Sequence, residues 1–192
     1  MRDLAILTFV TLDGVMQSPS MAEEDPSNGF AHGGWAAPFW EETMPRVAAT
    51  AMAAPYDILF GRKTYDIFAG HWPNAPKSDQ SDRLNQAQKH VVTSHLDPLT
   101  WQNSHPITGN VVEAIQELKR QDGPLLQVHG SAQLIQTLLA NDLIDEFRLW
   151  TFPVVVGTGK RLFETGTKPA TLTLVSSEPL SNGVVGQTLR RA

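Results

Sequence analysis

The residues best suited to chemistry in this chain stand at the ends of apolar, strand-like runs. Leu125-Leu126-Gln127-Val128-His129 leads into Gly130-Ser131-Ala132-Gln133, after which Leu134, Ile135, Leu138 and Leu139 recur at helical spacing. Gly130 permits a sharp turn, and Ser131 stands where an N-cap sits. The unpaired N–H groups and partial positive charge of such a first turn suit a phosphate or pyrophosphate. A capped joint without a ligand is the alternative reading. A second junction, Leu59-Phe60-Gly61-Arg62-Lys63-Thr64, adds two cations and a hydroxyl. Val91-Val92 ends in Thr93-Ser94, the first apolar run ends in Asp13-Gly14, and the Gly-rich turn Gly157-Thr158-Gly159-Lys160 follows a later run. In open α/β sheets ligands sit beyond the carboxyl ends of the strands, so these motifs converge on a molecule carrying several phosphates. The spacing is neither G-x-G-x-x-G nor a Walker loop.

The elements that must position these residues alternate along the chain. Strands are expected over Leu4–Thr11, 56–60, 90–94, 101–104, 125–128 and 144–156, the last bent around Pro153. Helices are expected over 39–54, from 61 onward, over 81–88 and 111–121, and from 131 to 141. Residues 171–176 and 184–189 read as a closing antiparallel hairpin around Ser181-Asn182-Gly183. This pattern predicts an α/β fold with a mixed, mainly parallel sheet and an antiparallel edge. The 17–38 segment is polar and rich in Gly, Pro and Ser, and a loop of that length is a functional lid or a disordered excursion. Trp35, Phe39 and Trp40 favour the lid.

The chain has 192 residues, a length expected of a single domain (1–192) with a substantial core. Its net charge is −5 and it has no basic run, which argues against a nucleic-acid partner. It has no cysteine, so thiolate metal sites, disulfides and Cys nucleophiles are excluded. The six histidines lack metal-binding spacing, and no metal is expected. No apolar run approaches the ~18 residues of a membrane span, and a soluble cytoplasmic protein is the expectation.

The stretches Thr11-Leu12-Asp13-Gly14-Val15, Gly33-Gly34-Trp35, Leu59-Phe60-Gly61-Arg62-Lys63-Thr64-Tyr65, Val91-Val92-Thr93-Ser94, Val128-His129-Gly130-Ser131 and Pro153 to Lys160 occur in the order found in one superfamily. On these motifs the chain resembles the dihydrofolate reductase-like superfamily, and within it the single-domain relatives of the reductase domain of bacterial riboflavin biosynthesis proteins. The resemblance implies a three-layer fold with helices on both faces of the sheet, and an NADPH-dependent reductase. It implies that Gly61, Arg62, Lys63 and Thr64 meet cofactor phosphates, with Thr93 and Ser94 near the adenosine ribose and its 2′-phosphate. Gly130, Ser131, Ala132 and Gln133 would hold the pyrophosphate, and the 17–38 segment would cover the nicotinamide. Homodimers are common among such proteins, and residues 149–156 offer an apolar strand for an interface.

The substrate implied is a small, flat heterocycle of pterin or pyrimidine type, with dihydrofolate and aminouracil-type compounds as family precedents. Glu41 and Glu42 lie in the region from which dihydrofolate reductases supply a carboxylate; the alternative is an acidic first turn favoured by the helix dipole. Asp13 is a proton donor or, with Gly14, a turn former. His129 stands where the riboflavin-pathway enzymes carry an acidic residue, and serves at the pocket mouth or in packing. Trp35, Phe39 and Trp40 are candidate aromatic walls. A nucleotide-binding protein without efficient catalysis and a structural dimer are the competing readings.

Overall fold

In the computed structural model, which describes residues 1–95 and 97–192, the sheet is organised around its most apolar strand, β1 (Leu4–Thr11). The remaining strands are β2 (Tyr56–Gly61), β3 (Lys89–Val92), β4 (Ser104–Ile107), β5 (Leu125–His129), β6 (Glu146–Phe152), β7 (Leu172–Pro179) and β8 (Val185–Arg191). They form one sheet in the order β4-β3-β2-β5-β1-β6-β8-β7. Pairs from β4 through β6 are parallel, whereas β8 pairs antiparallel with both β6 and β7. The expected mixed, mainly parallel sheet with an antiparallel C-terminal hairpin is therefore present.

The helices are α1 (Trp40–Met52), α2 (Arg62–His71), α3 (Asp79–Gln86), α4 (Val111–Arg120) and α5 (Ala132–Ala140). Strand alternation divides them between the two faces. Leu4, Ile6 and Val10 of β1 join Leu59, Val128, Ile115, Ile135 and Leu138 in a core shared with α4 and α5. Leu7 lies on the opposite face, packed with Val47 and Ala51 of α1. Ile58 and Phe60 of β2 extend that second face toward Tyr65 of α2 and Leu84 of α3.

Several elements differ from their sequence expectation for local reasons. The strand expected at 101–104 begins only at Ser104, because Trp101 plugs the core beneath α3. Its indole N–H donates to Asn85 Oδ1 at 2.6 Å, and its backbone N–H donates to the Tyr65 hydroxyl at 2.9 Å. Pro45 sits inside α1 on the exposed side, where the bond it forgoes to the Glu41 carbonyl faces solvent. The 17–38 segment is anchored rather than structureless: Phe30, Trp35 and Ala36 are buried against Val15 and Phe152. The strand expected to run to Val156 ends at Phe152 and is paired on both edges, by β1 and β8. Residues 149–152 therefore offer no free strand edge, and residues 153–156 lie outside the strand, with Val155 exposed; the exposed apolar residues of the closing hairpin are Leu174 and Val175.

Gly186 of β8 faces Trp150 so closely that a Cβ would stand 2.8 Å from the indole ring. Replacement Gly186→Val is expected to destabilise the protein by about 1–3 kcal/mol through overpacking. The check is a lower urea midpoint at unchanged slope.

Candidate active site

A cleft of about 1840 Å³ runs along the carboxyl ends of β1, β2, β3 and β5. At one end two strand–helix junctions meet. Gly130 (φ +53°) and Ser131 (φ +61°) both adopt the left-handed conformation, and a Cβ on Gly130 would touch Thr64 at 3.6 Å, so α2 and α5 start side by side. Ser131 occupies the expected N-cap position but does not cap with its side chain. Its hydroxyl donates to the His129 carbonyl at 3.1 Å and accepts from the Gly61 N–H at 3.0 Å, tying the end of β2 to the end of β5. Hydrogen bonding in α5 begins at Ile135 N–H to the Ser131 carbonyl. Among the described residues no acceptor meets the N–H groups of Ala132, Gln133 and Leu134, nor those of Arg62, Lys63 and Thr64 at the start of α2. Two uncapped helix N-termini thus open on one cleft, an arrangement suited to a pyrophosphate.

Gly61, Arg62, Lys63, Thr64, Thr93, Ser94, Gly130, Ser131, Ala132 and Gln133 all line this end of the cleft. Arg62 is held by Asp66 (Nε to Oδ1, 2.9 Å) and by the Asp97 carbonyl (3.2 Å). Thr93 Oγ1 accepts from the His95 N–H at 3.0 Å. Lys63 meets a partner that sequence reasoning missed: Asp25 accepts from Lys63 at 2.7 Å and from Lys160 at 2.6 Å. Burial opposes ionisation of Asp25, but hydrogen bonds from Lys160, Lys63 and Ser27 outweigh it and hold the carboxyl well below the usual carboxylate range. Gln17 completes the clasp, donating to the carbonyls of Asp25 (2.8 Å) and Ser27 (3.0 Å) and accepting from the Lys160 N–H (2.9 Å). The expected lid is a pinned wall, and Ser18, Met21, Asp25 and Asn28 supply its cleft side.

The other end of the cleft is apolar, with Phe9, Trp40, Met44, Val47 and Ala51 among its walls. Trp40, Met44, Val47 and Ala51 share one stripe of α1 at helical spacing, which turns Glu41 and Glu42 away. Glu41 is exposed, while Glu42 accepts from the Ser181 N–H and hydroxyl, both at 2.8 Å. Neither carboxylate lines the cleft. Asp13 also lies off the cleft and clasps the turn: it accepts from Thr11 Oγ1 at 2.6 Å and from the Gly157 N–H at 2.9 Å, and pairs with Arg161 at 3.6 Å. Of the three expected aromatic walls only Trp40 reaches the cleft. Trp35 and Phe39 pack on Phe152, with ring centroids 5.4 and 5.6 Å away, and the Trp35 indole donates to the Gln17 carbonyl at 2.8 Å.

His129 does line the cleft, backed by a polar relay that sequence reasoning missed. Glu146 accepts from Arg148 Nε at 2.6 Å, Arg148 Nη1 donates to Gln127 Oε1 at 2.7 Å, and Gln127 Nε2 meets His129 Nε2 at 2.9 Å. The relay passes from β6 to β5 across β1, where Ala5 pairs with both Gln127 and Glu146 and its small side chain leaves room. The signal available in sequence was the polar side chain of Gln127 between the apolar Leu126 and Val128. Burial, and secondarily the Arg148 charge, push the His129 imidazole down to about 4.

Unfolded His129 titrates near its ordinary value of 6.5, so between about pH 6.5 and 4 the unfolded chain binds a proton that the folded chain refuses. The stabilisation is present above pH 6.5 and is lost as pH falls toward 4, a swing of up to about 3 kcal/mol. His129→Asn is expected to lose correspondingly less stability than the parent between pH 7 and 4.5, read from the two urea midpoints.

The sequence model of the RibD C-terminal domain matches residues 3–186. The uncharacterized protein YyaP of Bacillus subtilis is 33% identical over 131 residues, covering 67% of this chain and 70% of its own. A putative riboflavin biosynthesis protein from Shewanella sp. PV-4 superimposes with a TM-score of 0.63 at 18% identity, over 100% of this chain and 99% of that one. Dihydrofolate reductase from Enterococcus faecalis, solved as a complex with NADP(H), gives 0.58 at 14% identity over 98% and 96% of the two chains. With the sheet order and the paired helix N-termini already in place, the match over nearly all its length shows that this chain belongs to the RibD C-terminal domain family and carries the dihydrofolate reductase-like fold.

Proposed function

We propose that the protein is an NADPH-dependent reductase that transfers hydride to a small, flat heterocycle. The observation that carries this reading is the pair of uncapped helix N-termini, α2 and α5, opening onto one cleft with an apolar far end. The residues present fit a nicotinamide dinucleotide. Among the described residues the N–H groups of Ala132, Gln133 and Leu134 have no acceptor, and Arg62 is fixed at the rim. Thr93 and Ser94 flank the same end and suit a ribose and its 2′-phosphate. The cleft volume of about 1840 Å³ accommodates a dinucleotide together with a substrate ring.

When bound, the nicotinamide supplies the hydride; the protein supplies binding, orientation and exclusion of water. The starts of α2 and α5 hold the phosphates by backbone donors that need no rearrangement. Gln17 and Asp25 pin the wall formed by residues 16–28 along one side of the cleft. Phe9 and Trp40 provide flat apolar surfaces against which a planar ring stacks.

Titration of the purified protein with NADPH and with NADH, followed through the fluorescence of the cleft residues Trp40 and Trp72, tests the reading. Saturable NADPH binding that weakens about tenfold or more in Arg62→Ala supports it, since a charge-assisted bond contributes about 1.5–3 kcal/mol. Failure of both nucleotides to bind would refute it.

A further inference from the structure

The substrate end of the cleft is unusual in the state of its polar groups. Arg148 can only donate, so Gln127 must turn its carbonyl oxygen to Arg148 and its NH₂ to His129. His129 Nε2 must then accept, which places the imidazole proton on Nδ1. Among the described residues nothing accepts from Nδ1, and that atom is not among the sealed, partnerless polar atoms of the interior. The Tyr56 hydroxyl is in the same position. Its ring centroid lies 6.1 Å from that of His129, only 1% of the residue is exposed, and its oxygen has no partner among the described residues yet is not sealed. Both residues line the cleft. The carboxylates that line it, Glu24, Asp25, Asp66 and Asp97, belong to the wall or to the rim around Arg62, and none stands at the apolar end.

We infer that Tyr56 O–H and His129 Nδ1–H form a pair of uncharged donors that selects a neutral, flat substrate through a carbonyl or imine acceptor, with Gln127 and Arg148 as positioning residues that fix the tautomer. The inference deepens the reductase reading and rests on it. The electrostatics agree: burial holds the Tyr56 phenol protonated, up to about 12, and keeps His129 neutral. Among the described residues no Lys or Arg lines this end for an anionic substrate: Arg148 behind it is committed to Glu146, Gln127 and the Thr50 carbonyl, and Arg83 is stacked on the Tyr56 ring, 4.7 Å from its centroid, donating to the Tyr56 carbonyl. A cationic ring would find no carboxylate there among the described residues. A heteroatom that gains electron density during reduction would instead gain two hydrogen bonds.

The test uses the full chain and three probes of one shape: 2-acetylnaphthalene, 2-isopropenylnaphthalene, which replaces the carbonyl oxygen by CH₂, and 2-naphthoate. Binding is followed in ¹⁵N-histidine-labelled protein, with NADPH titrated in a parallel sample. The expected results are a neutral His129 protonated at Nδ1, and a ketone that binds at least about fivefold more tightly than the alkene while shifting the His129 resonances. Tyr56→Phe should bring the ketone toward the alkene. Gln127→Glu, whose carboxylate accepts from both neighbours, should move the proton to Nε2 with the same loss. An Nε2-protonated His129 in the parent protein, a ketone no tighter than the alkene (including no binding of either), or tightest binding of the naphthoate would each overturn the inference. Because NADPH binding is read separately, these outcomes are distinct from failure of the reductase reading, which appears as loss of NADPH binding whatever the probes do.

Discussion

Gln133→Glu is expected to weaken NADPH binding by roughly tenfold to a hundredfold while leaving the protein at least as stable as before. Gln133 is exposed in the first turn of α5, its side chain lines the cleft, and the substitution changes charge with almost no change of shape. For the helix alone the new carboxylate is favourable, because it complements the positive end of the dipole by about 0.3–1 kcal/mol. For a bound pyrophosphate it is a like charge within several ångströms, worth roughly 1–3 kcal/mol at an effective dielectric of about 20–40. The two effects have opposite signs, which separates a binding defect from a folding defect. Thermal unfolding and NADPH titration of the same sample make the comparison. The loss should shrink at high salt, since the residue is solvent-exposed. Unchanged affinity would remove α5 from the phosphate site.

Arg148→Met is expected to produce the largest loss of stability among single substitutions near the cleft. Arg148 and Glu146 are only 11% and 13% exposed, so the change leaves a mostly buried carboxylate whose other cation, Arg190, lies 3.8 Å away. It also strips donors from Gln127 Oε1 and from the Thr50 carbonyl of α1. Breaking a buried pair from one side costs about 3–5 kcal/mol. In a chain of this size that lowers the melting temperature by roughly 10 °C or more. Because the relay crosses β1 above Ala5, the defect should also loosen α1 against the sheet. Calorimetry of Arg148→Met beside Arg148→Lys reads the effect; a fall under about 3 °C would show that water already satisfies the relay.

The fold was largely legible because its signals are local. Leu4–Thr11 is a continuous run of apolar and β-branched residues, and the structure gives the same limits. Gly61 and Gly130 stand where strands must stop for helices to begin, which exposed both phosphate-suited junctions in the sequence. The substrate end was illegible for the opposite reason. Whether Glu41 or Trp40 faces the cleft depends on the phase of α1, and the 17–38 segment before it carries no repeat that fixes that phase. Asp25 meets Lys63 and Lys160 from 38 and 135 residues away. Gln127 meets Arg148 across an intervening strand, a pairing that register alone creates. Ser131 shows the limit even of a good local signal: residue and position suit a cap, yet the hydroxyl serves the β2–β5 junction and leaves the helix start open.

The starts of α2 and α5 are proposed to hold the phosphates of a nicotinamide dinucleotide together. The most direct measurement of this is the set of backbone amide shifts in ¹⁵N-labelled protein as NADPH is added. The account predicts the largest changes at Arg62, Lys63 and Thr64 and at Ala132, Gln133 and Leu134, all saturating with one affinity. Shifts confined to one of the two helix starts, or spread elsewhere with both unchanged, would contradict it.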